Sequence, residues 1–165
     1  MALLLYTGQR RSDVVLLGRQ HERDGGTSLG FRQVKTGAWV ELPIWSPLKA
    51  ALSAGPKGGL TYLETAYGRP FSAAGFGNWF GEKCRAAGLK GYTAHGLRKA
   101  AATRLAEAGA TAHEIMAVTG HASLSEVQRY TKAAEQKKLA RSALGKLETR
   151  FAKTDAKSLK NKRTK

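Results

Sequence analysis

Four side chains in the second half of the chain could together hold and attack a phosphodiester. His95 and Arg98 lie in AHGLRKAAATRLAEAG, and Tyr130 follows His121 by nine positions in TGHASLSEVQRYTKA. Arginine presents a planar fork of donors to phosphate oxygens, and histidine transfers protons near neutral pH. A phenol in water is mostly protonated at neutral pH, so it needs nearby cations to become a good nucleophile. The alternative is four unrelated polar residues on a helical scaffold.

The composition points to a polyanion as the partner. The 165 residues include 28 Lys and Arg against 12 Asp and Glu, which gives a formal net charge of +16. This excess favours nucleic acid, with a membrane surface as the competing partner. No apolar run approaches the roughly 18 to 20 residues that span a bilayer.

Cysteine content and the N-terminus bear on the cellular compartment. Cys84 is the only cysteine, which excludes an internal disulfide and a cysteine-pair zinc site. The opening MALLLY is short and lacks the basic flank and cleavage site of a signal peptide. We therefore expect a reducing, cytoplasmic location, with the protein associated with the nucleoid of a bacterium or phage-infected cell.

Helices in the second half would position these residues. Apolar spacing predicts a helix over 72–87, and an Ala- and Leu-rich stretch predicts another over 95–108. Thr111 with Glu114 forms a capping box that opens a short helix.

A further capping box precedes the tyrosine. Ser123 with Glu126 predicts a helix that begins just after His121 and carries Tyr130 about two turns along it.

The first half predicts helices interrupted by a small sheet. Ser12 can cap a short helix over SDVVLLGR, which Gly18 ends. The β-prone runs LGFRQV and AWVELPI flank KTG, which predicts a hairpin with Lys35 at or beside its turn. The Ser-Pro pair at 46–47 opens a helix, and GGLTYLE could add a third strand. The predicted fold class is α+β, a mainly helical domain with a small antiparallel sheet on one edge.

Two further basic segments extend the pattern. Arg10 lies in TGQRRSD, at a helix N-terminus whose N–H groups favour an anion, and the alternative is an exposed charge. From Lys153 the chain reads KTDAKSLKNKRTK, with Leu159 as its only large apolar side chain. We expect a single domain over 1–150 and a basic flexible tail over 151–165.

Together these segments resemble the catalytic domain of the tyrosine recombinase, or phage integrase, family. TGQRRSD, the hairpin lysine, HGLR and GHASLSEVQRY follow the order and approximate spacings of that family's boxes, with aspartate in place of the more usual glutamate in the first. The catalytic set that the resemblance implies is Arg10, Lys35, His95, Arg98, His121 and Tyr130, with Asp13 as a supporting residue.

The resemblance also implies roles. Tyr130 is the nucleophile that forms a 3′-phosphotyrosine, Lys35 the general acid and His95 the general base. His121 donates to the phosphate and packs under the tyrosine helix. Two arginine forks stabilise the extra charge of a pentavalent transition state, so neither a nucleotide cofactor nor a metal is required. The implied partner is double-stranded DNA, bound by a tetramer in which a terminal helix docks on a neighbouring protomer or packs back on its own domain.

Two departures from the family pattern qualify these expectations. Lys99-Ala100 follows the HxxR box where His-Thr or Arg-Ser is commoner. Few residues precede Arg10, so we expect the separate core-binding domain to be absent and DNA affinity to be weak. The alternatives to a recombinase of a mobile element are a type IB-like topoisomerase and a truncated, non-catalytic DNA-binding fragment.

Overall fold

The computed structural model describes the backbone of residues 1–162 and the side chains of residues 1–151. The described residues form helices around a small sheet, which confirms the predicted α+β class. In chain order the elements are α1 (Ala2–Thr7), α2 (Arg11–Val14), a 3-10 turn (Arg19–His21), β1 (Glu22–Arg23), β2 (Ser28–Arg32), β3 (Trp39–Pro43), α3 (Ser46–Ala54), α4 (Ala73–Ala86), α5 (Ala94–Glu107), α6 (Ala112–Thr119) and α7 (Leu124–Lys162).

The sheet is antiparallel in the order β1-β2-β3, and the predicted hairpin is its β2-β3 half. Leu29 pairs with Leu42 and Phe31 with Val40, and all four side chains are buried. Because side chains alternate along a strand, this register directs one face of the hairpin into the core. The turn between the strands carries Lys35, as predicted.

The predicted third strand over GGLTYLE is wrong. That segment makes only an isolated bridge between Glu64 and Pro70, whereas the third strand is β1, which pairs with β2. A tight turn with positive φ at Asp24 and the two following glycines brings β1 back onto β2. The Tyr62 hydroxyl donates to Glu22 at 2.6 Å, so the predicted strand packs on β1 through a side chain.

The start of α2 also differs from the prediction. Arg10, with extended backbone (φ −71°, ψ 155°), is the N-cap, and Ser12 lies inside the helix. The Arg10 carbonyl accepts from the N–H groups of Asp13 and Val14 at 3.0 Å each. Helical hydrogen bonding therefore begins at Arg10 itself, and the helix ends at Val14, before the predicted stop at Gly18.

The second-half helices match the predictions closely. The hydroxyls of Ser72 and Thr93 accept from backbone N–H groups at the starts of α4 and α5. Thr111 and Glu114 form both bonds of the predicted capping box. The last helix, α7, begins at Leu124, where the Ser123 hydroxyl lies 2.6 Å from that of Ser125.

A second, smaller core joins α5, α6 and α7. Ala102, Ala106, Ile115 and Val127 are buried there, and the partly buried Tyr130 packs against them. Two alanines on α5 let α7 approach closely, which fixes the first turns of α7 against the domain. The backbone of α7 continues to Lys162, the side chains beyond residue 151 are not described, and residues 163–165 lie outside the described residues. The flexible tail over 151–165 stays a prediction.

Candidate active site

Two helix ends meet around Arg98. Helix α1 ends at Gly8 and α6 at Gly120, both with left-handed backbone (φ 65° and 66°). The Arg98 Nη1 donates to the carbonyls of Gly8 (2.8 Å) and Thr119 (2.7 Å). Carbonyls at helix C-termini carry partial negative charge, so they favour a cation.

The glycines of the two Thr-Gly pairs, Gly8 and Gly120, are needed for steric reasons. Besides the positive φ, a side chain at Gly8 would press on Thr119, with the added carbon 3.2 Å from Cγ2. One at Gly120 would overlap the Gln33 amide. Glycine therefore allows three segments to approach closely at this point.

The Arg98 side chain has capacity left for an anion. It is 3% exposed, and its Nη2 is buried with no hydrogen-bond partner among the described residues. Burial, and after it the Arg10 charge, lowers the pKa of Arg98 to about 10, so the guanidinium stays charged at neutral pH. An unpartnered buried donor costs free energy, which an incoming phosphate oxygen would recover.

Arg10 lies near the same point. Its half-buried side chain donates from Nη1 to the Gln33 Oε1 at 2.9 Å. Its charge also lowers the pKa of Arg98, His95 and His121. In each case burial lowers the pKa more than Arg10 does. Two arginines and two histidines from three separate segments are therefore brought together: the start of α2, the first turns of α5 and the end of α6.

Asp13 links the α2 turn to the hairpin. It is 2% exposed, and its Oδ1 accepts from the Val34 N–H at 2.8 Å. Its Oδ2 is buried with no hydrogen-bond partner among the described residues, and its charge raises the pKa of Arg98. Asp13 thus holds the residue next to Lys35, whose own side chain is exposed at the turn.

His121 is half-buried and neutral. Burial, then the Arg98 charge, lowers its pKa to about 4. Its Nδ1 lies 2.6 Å from the Thr119 hydroxyl, which also donates to the Ile115 carbonyl at 2.6 Å. The imidazole is therefore held against the end of α6.

His95 is exposed in the first turn of α5. Its pKa is lowered by burial first, then by the charges of Lys99, Arg98, Arg10 and Arg129. The charge of Lys99, a residue that departs from the family pattern, therefore lowers the pKa of His95 more than any other charge does. The neutral form that results can accept a proton.

Tyr130 faces this cluster from α7. Its hydroxyl lies 3.5 Å from Nη2 of Arg129, whose guanidinium carbon is 5.2 Å from the ring centroid. The charge of Tyr130 raises the pKa of Arg98, so the phenol and the buried guanidinium are electrostatic neighbours.

Several residues in this cluster escaped the sequence analysis. Gln9 and Gln33 are buried, Thr119 carries the carbonyl shared by two donors, and Arg129 covers the tyrosine ring. A glutamine two residues before a hairpin lysine was the available signal, but nothing in its neighbours indicated burial. Among the residues that the structure describes, no three His, Cys, Asp or Glu side chains form a possible metal site, and no helix is long and apolar enough to cross a membrane.

The sequence and the fold of this chain are similar to those of known proteins. The family model described as the phage integrase family matches residues 1–137. No curated protein matches the chain. A lambda integrase (75–356) dimer bound to a COC' core site is 23% identical with a TM-score of 0.68, over 79% of this chain and 50% of that one. A crystal structure of XerA recombinase is 19% identical with a TM-score of 0.69, over 86% and 54%.

A lambda integrase tetramer bound to a Holliday junction is 27% identical with a TM-score of 0.64, over 76% of this chain and 40% of that one. The chain thus spans 40 to 54% of the length of these three proteins. Because the family match extends over most of the sequence, the chain belongs to the phage integrase family.

Proposed function

We propose that this chain cleaves and rejoins double-stranded DNA as the catalytic domain of a site-specific recombinase of the integrase type. The observation that carries the proposal is the buried Arg98 guanidinium, whose Nη2 has no partner among the described residues, with Arg10 and Tyr130 close enough to alter its pKa. A cation fixed on one side and open on the other suits a phosphate that lies between it and a nucleophile.

In the proposed reaction, the Tyr130 phenol oxygen attacks a DNA phosphorus. The phenol proton passes to His95, the bond from phosphorus to the 5′ oxygen breaks, and Lys35 gives that oxygen a proton. The products are a 3′-phosphotyrosine and a free 5′-hydroxyl. Attack by a 5′-hydroxyl from a partner strand reverses these steps and joins the new strand.

The two arginines stabilise the charge that develops at phosphorus. Guanidinium forks can donate in parallel to two non-bridging oxygens, and they keep their charge without a metal ion. Because one phosphodiester replaces another, the chemistry needs no nucleotide cofactor. His121, held by Thr119, would contact the same phosphate from the end of α6.

The proposed assembly is a homotetramer on DNA. The middle of α7 has exposed apolar side chains at helical spacing: Leu139, Leu144, Leu147 and Phe151. Such a face favours docking on a neighbouring protomer over exposure to water. The lambda integrase dimer and tetramer were both bound to DNA, which supports the same kind of partner here. The proposed location is the cytoplasm, with the nucleoid.

A covalent trapping experiment tests this function. The chain is incubated with a labelled pool of nicked suicide duplexes of randomised sequence, and denaturing gels detect protein joined to DNA. The proposal predicts an adduct in the wild type and none in Tyr130→Phe. No adduct would favour a DNA-binding fragment, and relaxation of a supercoiled plasmid by the monomer would favour a topoisomerase.

A further inference from the structure

Gln33 is a buried polar residue with every hydrogen-bonding position occupied. It follows the last residue of β2 and is 1% exposed. Its Oε1 accepts from Arg10 Nη1 (2.9 Å) and from the Thr36 hydroxyl (2.8 Å). Its Nε2 donates to the Gln9 Oε1 (2.6 Å) and to the Thr119 carbonyl (2.8 Å).

The chemistry of these partners fixes the orientation of the amide. A guanidinium can only donate and a backbone carbonyl can only accept. Reversing the amide would place the NH₂ group of Gln33 against Arg10 and its oxygen against the Thr119 carbonyl. The observed orientation is therefore the one that satisfies both neighbours.

Gln33 also closes the hairpin turn through its backbone. Its N–H donates to the Ala38 carbonyl, and its carbonyl accepts from the Gly37 N–H, each at 2.9 Å. Lys35 lies inside the turn that these two bonds close. One residue thus joins the hairpin, the α2 turn and the end of α6.

The Thr119 carbonyl connects the two arginines. It accepts from both Arg98 Nη1 (2.7 Å) and Gln33 Nε2 (2.8 Å), while Gln33 in turn holds Arg10. We propose that Gln33 is a positioning residue that fixes the Arg10 guanidinium relative to Arg98 and to the hairpin turn of Lys35. Its effect on DNA cleavage rests on the proposed function, whereas its effect on Arg10 does not.

The first test observes Arg10 directly in the free protein. Side-chain ¹⁵N NMR would record the guanidinium signals of Arg10 and Arg98 in wild type, in Gln33→Met and in the exposed control Gln136→Met. In Gln33→Met we expect the Arg10 signals to shift and its guanidinium to rotate faster. The Arg98 signals should change less, because both of its carbonyl partners remain.

A second variant guards against misfolding of Gln33→Met. Thr36→Val removes one hydroxyl bond to the same Oε1 at an exposed position, with little change in volume. It should shift the Arg10 signals in the same direction by a smaller amount. Arg10 signals that stay unchanged in every folded variant of this pair overturn the proposal.

The second test asks whether Gln33 acts through Arg10 in cleavage. In single-turnover adduct formation, Gln33→Met should slow the wild type by about 10- to 100-fold, because misplaced phosphate contacts are costly. In an Arg10→Lys background the same change should have little further effect, since residues that act together are not additive. Equal fold-losses in both backgrounds would mean a general structural role and would contradict the proposal. If the wild type forms no adduct, the proposed function fails, and the NMR result alone decides the positioning role.

Discussion

Arg98 and Lys35 belong to one candidate site but differ sharply in solvent exposure. Arg98 is 3% exposed and bonded to the carbonyl ends of two helices, whereas Lys35 is exposed at a hairpin turn. His121 and His95 repeat the contrast, since the first is held by a hydroxyl at the end of α6 and the second is exposed in the first turn of α5.

The difference in burial follows from the chemical role that each group would have. Stabilising charge at phosphorus requires donors that are already in place, because reorganising them during the reaction would raise the barrier. Moving a proton requires a group that reaches the substrate and returns to water. Variants on the buried side should therefore alter both stability and cleavage, and variants on the exposed side should alter cleavage alone.

The largest effect is expected for Arg98→Lys. Lysine cannot donate as a fork, so the rate of adduct formation should fall by roughly 100- to 1,000-fold. Leaving a buried carbonyl unpaired should also lower the free energy of unfolding by about 1–3 kcal/mol. Single-turnover cleavage and urea unfolding measure the two effects. Arg104→Lys, an exposed position on the same helix, is the control, and equal behaviour of the two variants would refute the buried-side role.

Lys35→Ala should lose activity without losing stability. Removing a general acid typically costs about 100-fold or more in rate, and an exposed turn position contributes little to folding. A substrate with sulfur at the bridging 5′ position needs no protonation to leave, so it should restore most of the rate. Lys49→Ala provides the matched control, and failure of the sulfur substrate to rescue would argue against proton donation by Lys35.

Acid should destabilise the fold through His121. The folded-state pKa of His121, about 4, lies below its ordinary value of 6.5. The unfolded chain therefore binds the proton more readily between these values, and stability falls as the pH drops from 6.5 towards 4. His95, whose pKa is also lowered, acts in the same direction. Urea unfolding measures the free energy of unfolding across this pH range. This free energy should fall less steeply with acid in His121→Gln than in the exposed control His113→Gln. Equal pH dependence in the two variants would contradict a buried, neutral imidazole.

The smallest effect is expected for Arg129→Gln. The guanidinium is 3.5 Å from the Tyr130 hydroxyl and exposed to water, so it should contribute only modestly to holding the tyrosine ring in place. We expect a loss of about threefold to tenfold in adduct formation, from an exposed cation beside an aromatic ring. Arg141→Gln, at an exposed position further along the same helix, should behave like wild type.

Sequence reasoning succeeded where the signal was local. The hairpin around Lys35 and the capping box of Thr111 and Glu114 depend on residues a few positions apart, and both are present. The third strand was missed because β1 consists of only two polar residues, Glu22 and Arg23, which show no alternating apolar pattern.

The residues that support the site could not be predicted, because they make contacts between segments far apart in the sequence. Gln33 and Thr119 are 86 positions apart, and Arg98 and Gly8 are 90 apart. Whether a glutamine is a solvated surface residue or a buried connector is decided by such partners. The side chains proposed to do the chemistry could therefore be suggested from the sequence, while the residues that position them could not.

The nucleophile is the central claim, and mass spectrometry of the trapped complex tests it most directly. The adduct from the nicked duplex pool would be digested with nuclease and trypsin, and the peptide bearing nucleotide phosphate would be sequenced. We expect the phosphate to be attached to the Tyr130 side chain through a 3′ linkage. Attachment at any other residue, or an adduct that persists in Tyr130→Phe, would contradict it.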